Sequence, residues 1–227
     1  MAAWPNIKAV MIDLDGTLLD TIPDLAAAAN ATLTEIGRAT LPVDTIATFV
    51  GKGIPNLVKR CLTGSLNVKA EADPAELARV LPIFMRQYAV VNGRETSVYP
   101  GVLEGLDALR DGGLALACVT NKAAVFTEPL LEAMGLRGYF DIVVSGDTLP
   151  EKKPHPAQLL HICNALGVAP AEALLIGDSL NDVEAARRAG CPVFCVDYGY
   201  NEGGDVHDLD CDAIVSRLDE AASLVLQ

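Results

Sequence analysis

The sequence predicts an α/β protein with a Rossmann-like, doubly wound parallel sheet and a helical unit inserted after the first strand. Three observations carry that prediction. Short continuous apolar runs recur along the chain, helix-length segments separate the later ones, and one long stretch near the N-terminus has helical periodicity with no strand pattern in it. Continuous rather than alternating apolar runs mark strands buried on both faces, as in a parallel sheet.

Residues 7–14 are the first such run, and the pattern returns at 114–120, 142–145, 173–176 and 193–196. Between residues 18 and 96 the period changes. Leu25, Ala28, Ala29, Thr32, Leu33 and Ile36 are spaced for one face of a helix, and Leu77, Val80, Leu81, Phe84 and Tyr88 form a second stripe. Pro82 is expected to kink or split that second helix, because proline removes a backbone donor. Gly135, Gly167 and Gly190 stand where the later helices should end. Residues 201–205 read as a Gly-rich loop, and a strand at 213–215 and a helix at 218–226 finish the chain. The division is therefore 1–17 and 97–227 for the α/β core and 18–96 for the helical unit. Charge follows the same line: residues 18–96 hold eight basic and eight acidic residues, so the net charge of -13 resides wholly in the core. Within the unit, residues 40–70 carry four basic residues, Lys52, Lys59, Arg60 and Lys69, against Asp44 alone.

Composition narrows the function. At 227 residues and 51% hydrophobic, the chain is long enough to bury a real core. Seventeen basic residues against 30 acidic ones would repel a nucleic-acid backbone, so no nucleic-acid partner is expected. Mean hydropathy is +0.30, yet the apolar runs fall far short of the roughly 18 residues a membrane helix needs, so no membrane partner is expected. The first residues lack a basic patch followed by an apolar stretch, and the expectation is a cytoplasmic protein. Six cysteines without a Cys-x-x-Cys pair read as small buried hydrophobes, and the three histidines are too scattered for zinc.

The densest polar cluster is Asp13-Leu14-Asp15-Gly16-Thr17, at the end of the first strand. Ligands bind at that edge of an open α/β sheet. Alternation along an extended chain sends Asp13 and Asp15 to the same side, where their mutual repulsion is relieved by a divalent cation or by protonation of one of them. Asp178 ends another apolar run and repeats the placement of Asp13, with Asp182 four residues on at a helix start. Three hard oxygen ligands suit Mg2+, although Asp182 or Asn181 would also serve as an ordinary helix cap. Thr120-Asn121-Lys122 follows the 114–120 run, and Lys152-Lys153-Pro154 precedes the helix before Asp178's strand. A hydroxyl, backbone amides and an ammonium at one sheet edge are phosphate ligands.

These four segments together resemble, in order, the four motifs of the haloacid dehalogenase superfamily, and they span residues 13–182. The resemblance implies a phosphohydrolase in which Asp13 is the nucleophile and Asp15 the general acid and base. It implies phosphate binding by Thr120, Asn121 and Lys153, with Lys153 also steadying Asp13. Mg2+ would be held by Asp13, the main chain of Asp15 and Asp178, with Thr17 and Asp182 supporting them. An acid two residues after the nucleophile separates the phosphatases of the superfamily from its dehalogenases. The helical unit looks like the superfamily's cap.

More narrowly, Phe49-Val50-Gly51-Lys52-Gly53, Val91-Asn92-Gly93 and Tyr99-Pro100-Gly101-Val102 resemble bacterial phosphoglycolate phosphatases. That implies hydrolysis of 2-phosphoglycolate to glycolate and phosphate through an aspartyl-phosphate, a step of carbohydrate metabolism or DNA-damage clearance. Lys52, flanked by Gly51 and Gly53, and Arg60 are then candidates to read the substrate carboxylate; the alternatives are a helix–helix turn with an exposed lysine and a packed arginine stem. The expected partner is a small anionic phosphate ester, and the protein itself a monomer or homodimer. A phosphatase of another small sugar or acid phosphate, or a phosphomutase of the β-phosphoglucomutase kind, is the alternative. A non-catalytic binding module would be expected to lack one of Asp13, Asp15, Lys153 or Asp178, and all four are present.

Overall fold

The computed structural model describes residue 4, residues 6–66 and residues 72–227. Lys69 of the basic surplus and four of the first five residues lie outside these residues. In chain order the elements are β1 (Ala9–Ile12), β2 (Leu19–Asp20), α1 (Ile22–Glu35), α2 (Val43–Thr48), α3 (Ile54–Thr63), α4 (Pro74–Val91) and β3 (Ser97–Val98). They continue with α5 (Val102–Asp111), β4 (Ala115–Val119), α6 (Ala124–Ala133), β5 (Ile142–Val144), α7 (Ala157–Leu166) and β6 (Ala173–Gly177). The last are α8 (Leu180–Ala189), β7 (Val193–Val196), β8 (Ala213–Val215) and α9 (Leu218–Val225).

Six strands form one parallel sheet in the order β5-β4-β1-β6-β7-β8. Strand β1 lies in the middle because its four residues, Ala-Val-Met-Ile, are all buried and have apolar neighbours on both sides. Alternation divides them: Val10 and Ile12 pack with α5, α6 and α9, whereas Ala9 and Met11 pack with α7 and α8. The sheet is thus covered on both faces, as the apolar runs predict. Five of the six cysteines are buried in the fold and all six are free. Gly167 and Gly190 end their helices in the left-handed conformation, where a Cβ would be strained.

The helices from α1 to α4 share a separate apolar cluster built on Leu25, Ile46, Leu57, Phe84 and Tyr88, with Phe126 of α6 reaching into it. Two features depart from the sequence prediction. First, a strand does occur within 18–96: β2 pairs antiparallel with β3, Leu19 opposite Val98, where the chain leaves the core and returns to it. Second, of the two outcomes expected at Pro82 the split does not occur, since α4 runs through it as one helix. Pro82 and Ala78, whose carbonyl loses its partner, are both on the exposed side, so that carbonyl faces water instead of the apolar cluster. Residues 201–205 include a single 3-10 turn, Asn201–Gly203.

Asp24, in the first turn of α1, is completely buried. Its carboxylate accepts the backbone N–H groups of Gly93, Glu95 and Thr96 at 2.9, 2.9 and 3.1 Å and the Thr96 hydroxyl at 2.7 Å. A buried carboxylate with four donors is fully satisfied, and it ties the outgoing chain to the returning one.

Candidate active site

Strands β1, β4 and β6 end side by side, Ile12 opposite both Cys118 and Ile176. The residues that follow them therefore emerge at one edge. Asp13, Asp15, Thr120, Asn121, Lys122 and Asp178 line a cavity there. Val50, Gly51, Gly53, Ile54 and Leu57 of the helical unit close it from above. The cavity thus has an apolar roof and a polar floor.

Asp13 lies at the floor, 8% exposed. Its Oδ1 stands 2.8 Å from Lys153 Nζ and accepts the N–H of Leu14 at 2.7 Å. Burial pushes its carboxyl up to about 7, and the charges of Asp182 and Asp15 add to that against the pull of Lys153. Lys153 also donates to Asp182 Oδ1 at 2.7 Å and to the Val119 carbonyl at 2.8 Å. Burial alone would lower its pKa, but Asp13 and Asp182 carry the ammonium above its ordinary value. Gln158 fixes the segment, accepting the N–H of Lys153 and donating to the carbonyls of Thr120 and Ser145.

Asp178 is pushed well above the usual carboxylate range by burial and by its neighbours Asp182 and Asp13. Its Oδ2 accepts the N–H of Tyr200 at 2.7 Å. Gly16 is required beside it: the backbone there has φ +87°, and a Cβ would fall on the Asp178 carboxylate. Oxygens of Asp13, Asp178 and Asp182 lie within 4.8 Å of one another. Three buried carboxylates against one ammonium leave an excess of negative charge, and hard oxygen donors in that number fit a small divalent cation. Asp182 is the least available of the three, because Lys153 takes Oδ1 and the Ser179 hydroxyl and N–H take Oδ2 at 2.7 and 3.2 Å. It supports the cluster from behind, closing the capping box of α8.

Asp15 lines the same cavity as Asp13 but has different partners. Its Oδ1 receives the Thr21 hydroxyl at 2.6 Å and stands 2.6 Å from Lys122 Nζ. Lys122 is 5% exposed, and its ammonium sits 5.1 Å from the centroid of the Tyr88 ring in α4. Burial opposes its charge, yet Asp15 and the Tyr88 hydroxyl hold its pKa above the ordinary value. Thr120 is 1% exposed, with Oγ1 accepting the N–H of Lys122 at 3.1 Å. Asn121 Nδ2 donates to the carbonyls of Gly51 and Lys153 at 3.1 and 2.9 Å, while its buried Oδ1 has no protein partner. Thr17 is buried, and its carbonyl accepts the Tyr198 hydroxyl.

The structure thus gathers Asp13, Asp15, Thr120, Asn121, Lys153, Asp178 and Asp182 at one edge. It does not bring Lys52 and Arg60 to the cavity lining. Both engage Glu202, in the loop after β7: Lys52 Nζ at 3.1 Å and Arg60 Nη2 at 3.0 Å, with Arg60 Nη1 donating to the Phe49 carbonyl. The sequence reading missed Thr21 and Tyr200, and quoted Lys122 only within the Thr120-Asn121-Lys122 segment, with no role of its own. Lys122 had a visible signal, being adjacent to Thr120 and Asn121 at the strand end, whereas Thr21 and Tyr200 had none.

The central strand thus ends in a buried carboxylate held by lysine, with a second acid two residues on that has a lysine of its own. A family model described as haloacid dehalogenase-like hydrolase matches residues 7–190. The chain belongs to the haloacid dehalogenase-like hydrolases, and its class is that of the phosphoric monoester hydrolases. It is 61% identical over 219 residues to a phosphoglycolate phosphatase of Nitrosospira multiformis, covering 96% of each chain. With a phosphoglycolate phosphatase of Thiobacillus denitrificans it shares 54% identity over 226 residues, 99% of each chain. Among solved structures, a predicted phosphoglycolate phosphatase from Haemophilus somnus 129PT superimposes with a TM-score of 0.90 at 32% identity, covering 96% of this chain and 98% of that one.

Proposed function

We propose that the protein hydrolyses 2-phosphoglycolate to glycolate and phosphate, with Asp13 as nucleophile and Mg2+ as cofactor. The observation that carries the reading is the different treatment of two nearby carboxylates. Asp13 is pinned by Lys153 at the floor, and Asp15 is held apart by Lys122 and Thr21. One carboxylate is placed to attack and the other to move protons.

Asp13 attacks phosphorus, forming an aspartyl-phosphate as the bond to the glycolate oxygen breaks. Asp15 gives its proton to the departing alkoxide. A water then attacks the phosphorus of the aspartyl-phosphate, Asp15 takes a proton from it, and the bond to Asp13 breaks to release phosphate. Lys153 counters negative charge on Asp13 and on the phosphoryl oxygens, while Thr120 and the backbone of Asn121 orient them. Asp13 and Asp178, with the main-chain oxygen of Asp15, would hold the Mg2+, which supplies charge neutralisation between nucleophile and phosphate. Residues 18–96 act as the cap of this site, placing an apolar roof over it. The partner is thus a small anionic ester.

The test is phosphate release from a panel of small phosphate esters, with Mg2+ and with chelator. A preference for 2-phosphoglycolate in kcat/KM that disappears with chelator is the expected result. Equal or greater kcat/KM on sugar phosphates would overturn the substrate, and activity that survives chelation would overturn the cofactor.

A further inference from the structure

Hydrolysis of 2-phosphoglycolate, on which this inference rests, leaves one half of the substrate without a partner. The phosphate half meets Thr120 and Asn121 at the cavity wall, with Lys153 behind them on Asp13. The carboxylate half needs a cation, and the two expected from the sequence are committed elsewhere: Lys52 and Arg60 both pair with Glu202. Neither lines the cavity. Among the described residues that do, Lys122 alone carries a positive charge.

Lys122 has the properties of a specificity residue. It stands at the end of β4, two residues after Thr120, so one rigid segment presents both the phosphate hydroxyl and this ammonium. Its burial makes an anion contact strong, because little water competes for it. The Tyr88 ring at 5.1 Å fixes the ammonium from the side of the helical unit. Its anionic partner in the structure is Asp15 Oδ1 at 2.6 Å, a carboxylate at the cavity wall. A substrate carboxylate is chemically the same kind of group.

We infer that Lys122 reads the carboxylate of the substrate, exchanging its hold on Asp15 for the incoming anion. The exchange conserves charge pairing at the lysine and leaves Asp15 with Thr21 as its remaining side-chain partner, free to turn toward the leaving oxygen. Substrates without an anionic group on the alcohol side make no such exchange and leave Asp15 tethered. Selectivity for a carboxylate is then built into the core rather than into Lys52 of the helical unit.

The experiment compares kcat/KM for 2-phosphoglycolate and for ethyl phosphate, which lacks the carboxylate, in wild type, Lys122→Met and Lys122→Arg, together with inhibition by inorganic phosphate. Lys122→Met is expected to lose about 30-fold more on 2-phosphoglycolate than on ethyl phosphate, the size of one charge-assisted hydrogen bond, with Lys122→Arg restoring part of the difference. Inhibition by phosphate should change less than about threefold, showing a folded site with its phosphate half intact. Equal losses on the two esters would mean that Lys122 only positions Asp15, and weakened phosphate inhibition would mean that it binds the phosphoryl group; either overturns the inference. A wild type that does not prefer 2-phosphoglycolate overturns the substrate itself, a failure visible before any variant is made.

Discussion

The carboxylate of Glu202 lies 3.0 Å from the guanidinium of Arg60, joining the loop after β7 to helix α3 of the helical unit. Arg60 is 7% exposed, so the charge it carries is compensated chiefly by this contact and by the Phe49 carbonyl. Replacing Glu202 leaves a buried cation short of a partner. We expect Glu202→Gln to cost about 1–3 kcal/mol, read as a fall of about 2–12 °C in Tm. An unchanged Tm would show that the pair behaves like an exposed one.

Lys52 shares Glu202 with Arg60 but is half-exposed. Exposed pairs contribute little, and Lys52 is off the cavity lining. Lys52→Ala is expected to alter kcat/KM for 2-phosphoglycolate by less than about threefold, and a loss confined to carboxylate-bearing substrates would return the lysine to substrate reading.

Asp13→Asn keeps the shape of the side chain and removes its nucleophilic oxygen. Turnover should fall by at least about a thousandfold while inorganic phosphate still binds, measured by calorimetry. Retained activity would end the covalent mechanism.

Protonation and metal compete for the same carboxylates. Burial raises Asp13 from 3.8 to about 7 in the metal-free fold, so the folded state holds a proton that the unfolded chain has released. A raised carboxyl favours folding most below about pH 4, and that contribution is lost as pH climbs from about 4 to 7. Asp178, raised for the same first reason, acts in the same direction. The metal-free protein should therefore lose Tm between about pH 4 and 7, and the gain from added Mg2+ should grow over the same interval. Thermal melts with Mg2+ and with chelator at several pH values measure it, and a Mg2+ gain independent of pH would contradict the competition.

Gly16→Ala places a Cβ on the Asp178 carboxylate at a left-handed backbone position. Asp178 must move, and the Mg2+ concentration for half-maximal activity should rise by about tenfold. An unaltered Mg2+ requirement would remove Asp178 from the ligand set.

How legible these features were depended on the range of the interaction. Strands such as 193–196 were plain, because a sheet covered on both faces needs uninterrupted apolar residues, and Asp13 and Asp178 were plain because strand ends in such a sheet converge on one edge. The two-residue strand at Leu19 was invisible, since no period can show in two positions. Pro82 does not split α4, because its cost depends on which side of the helix it occupies. Lys52 and Arg60 were correctly seen as a local basic surplus, but their partner Glu202 lies more than a hundred residues away in a loop. The same holds for Tyr200, whose N–H on Asp178 and hydroxyl on the Thr21 N–H exist only once the chain has folded.

At the neck of the helical unit, Leu19 faces Val98 and Asp24 binds the backbone of Gly93, Glu95 and Thr96. The excursion from the core begins and finishes at one point, so it is an appendage to a loop, and changes in its length shift no strand of the large sheet. Because both connections are anchored at that one place, the face carrying Gly51 and Gly53 is presented to the sheet edge that holds Asp13 and Asp178.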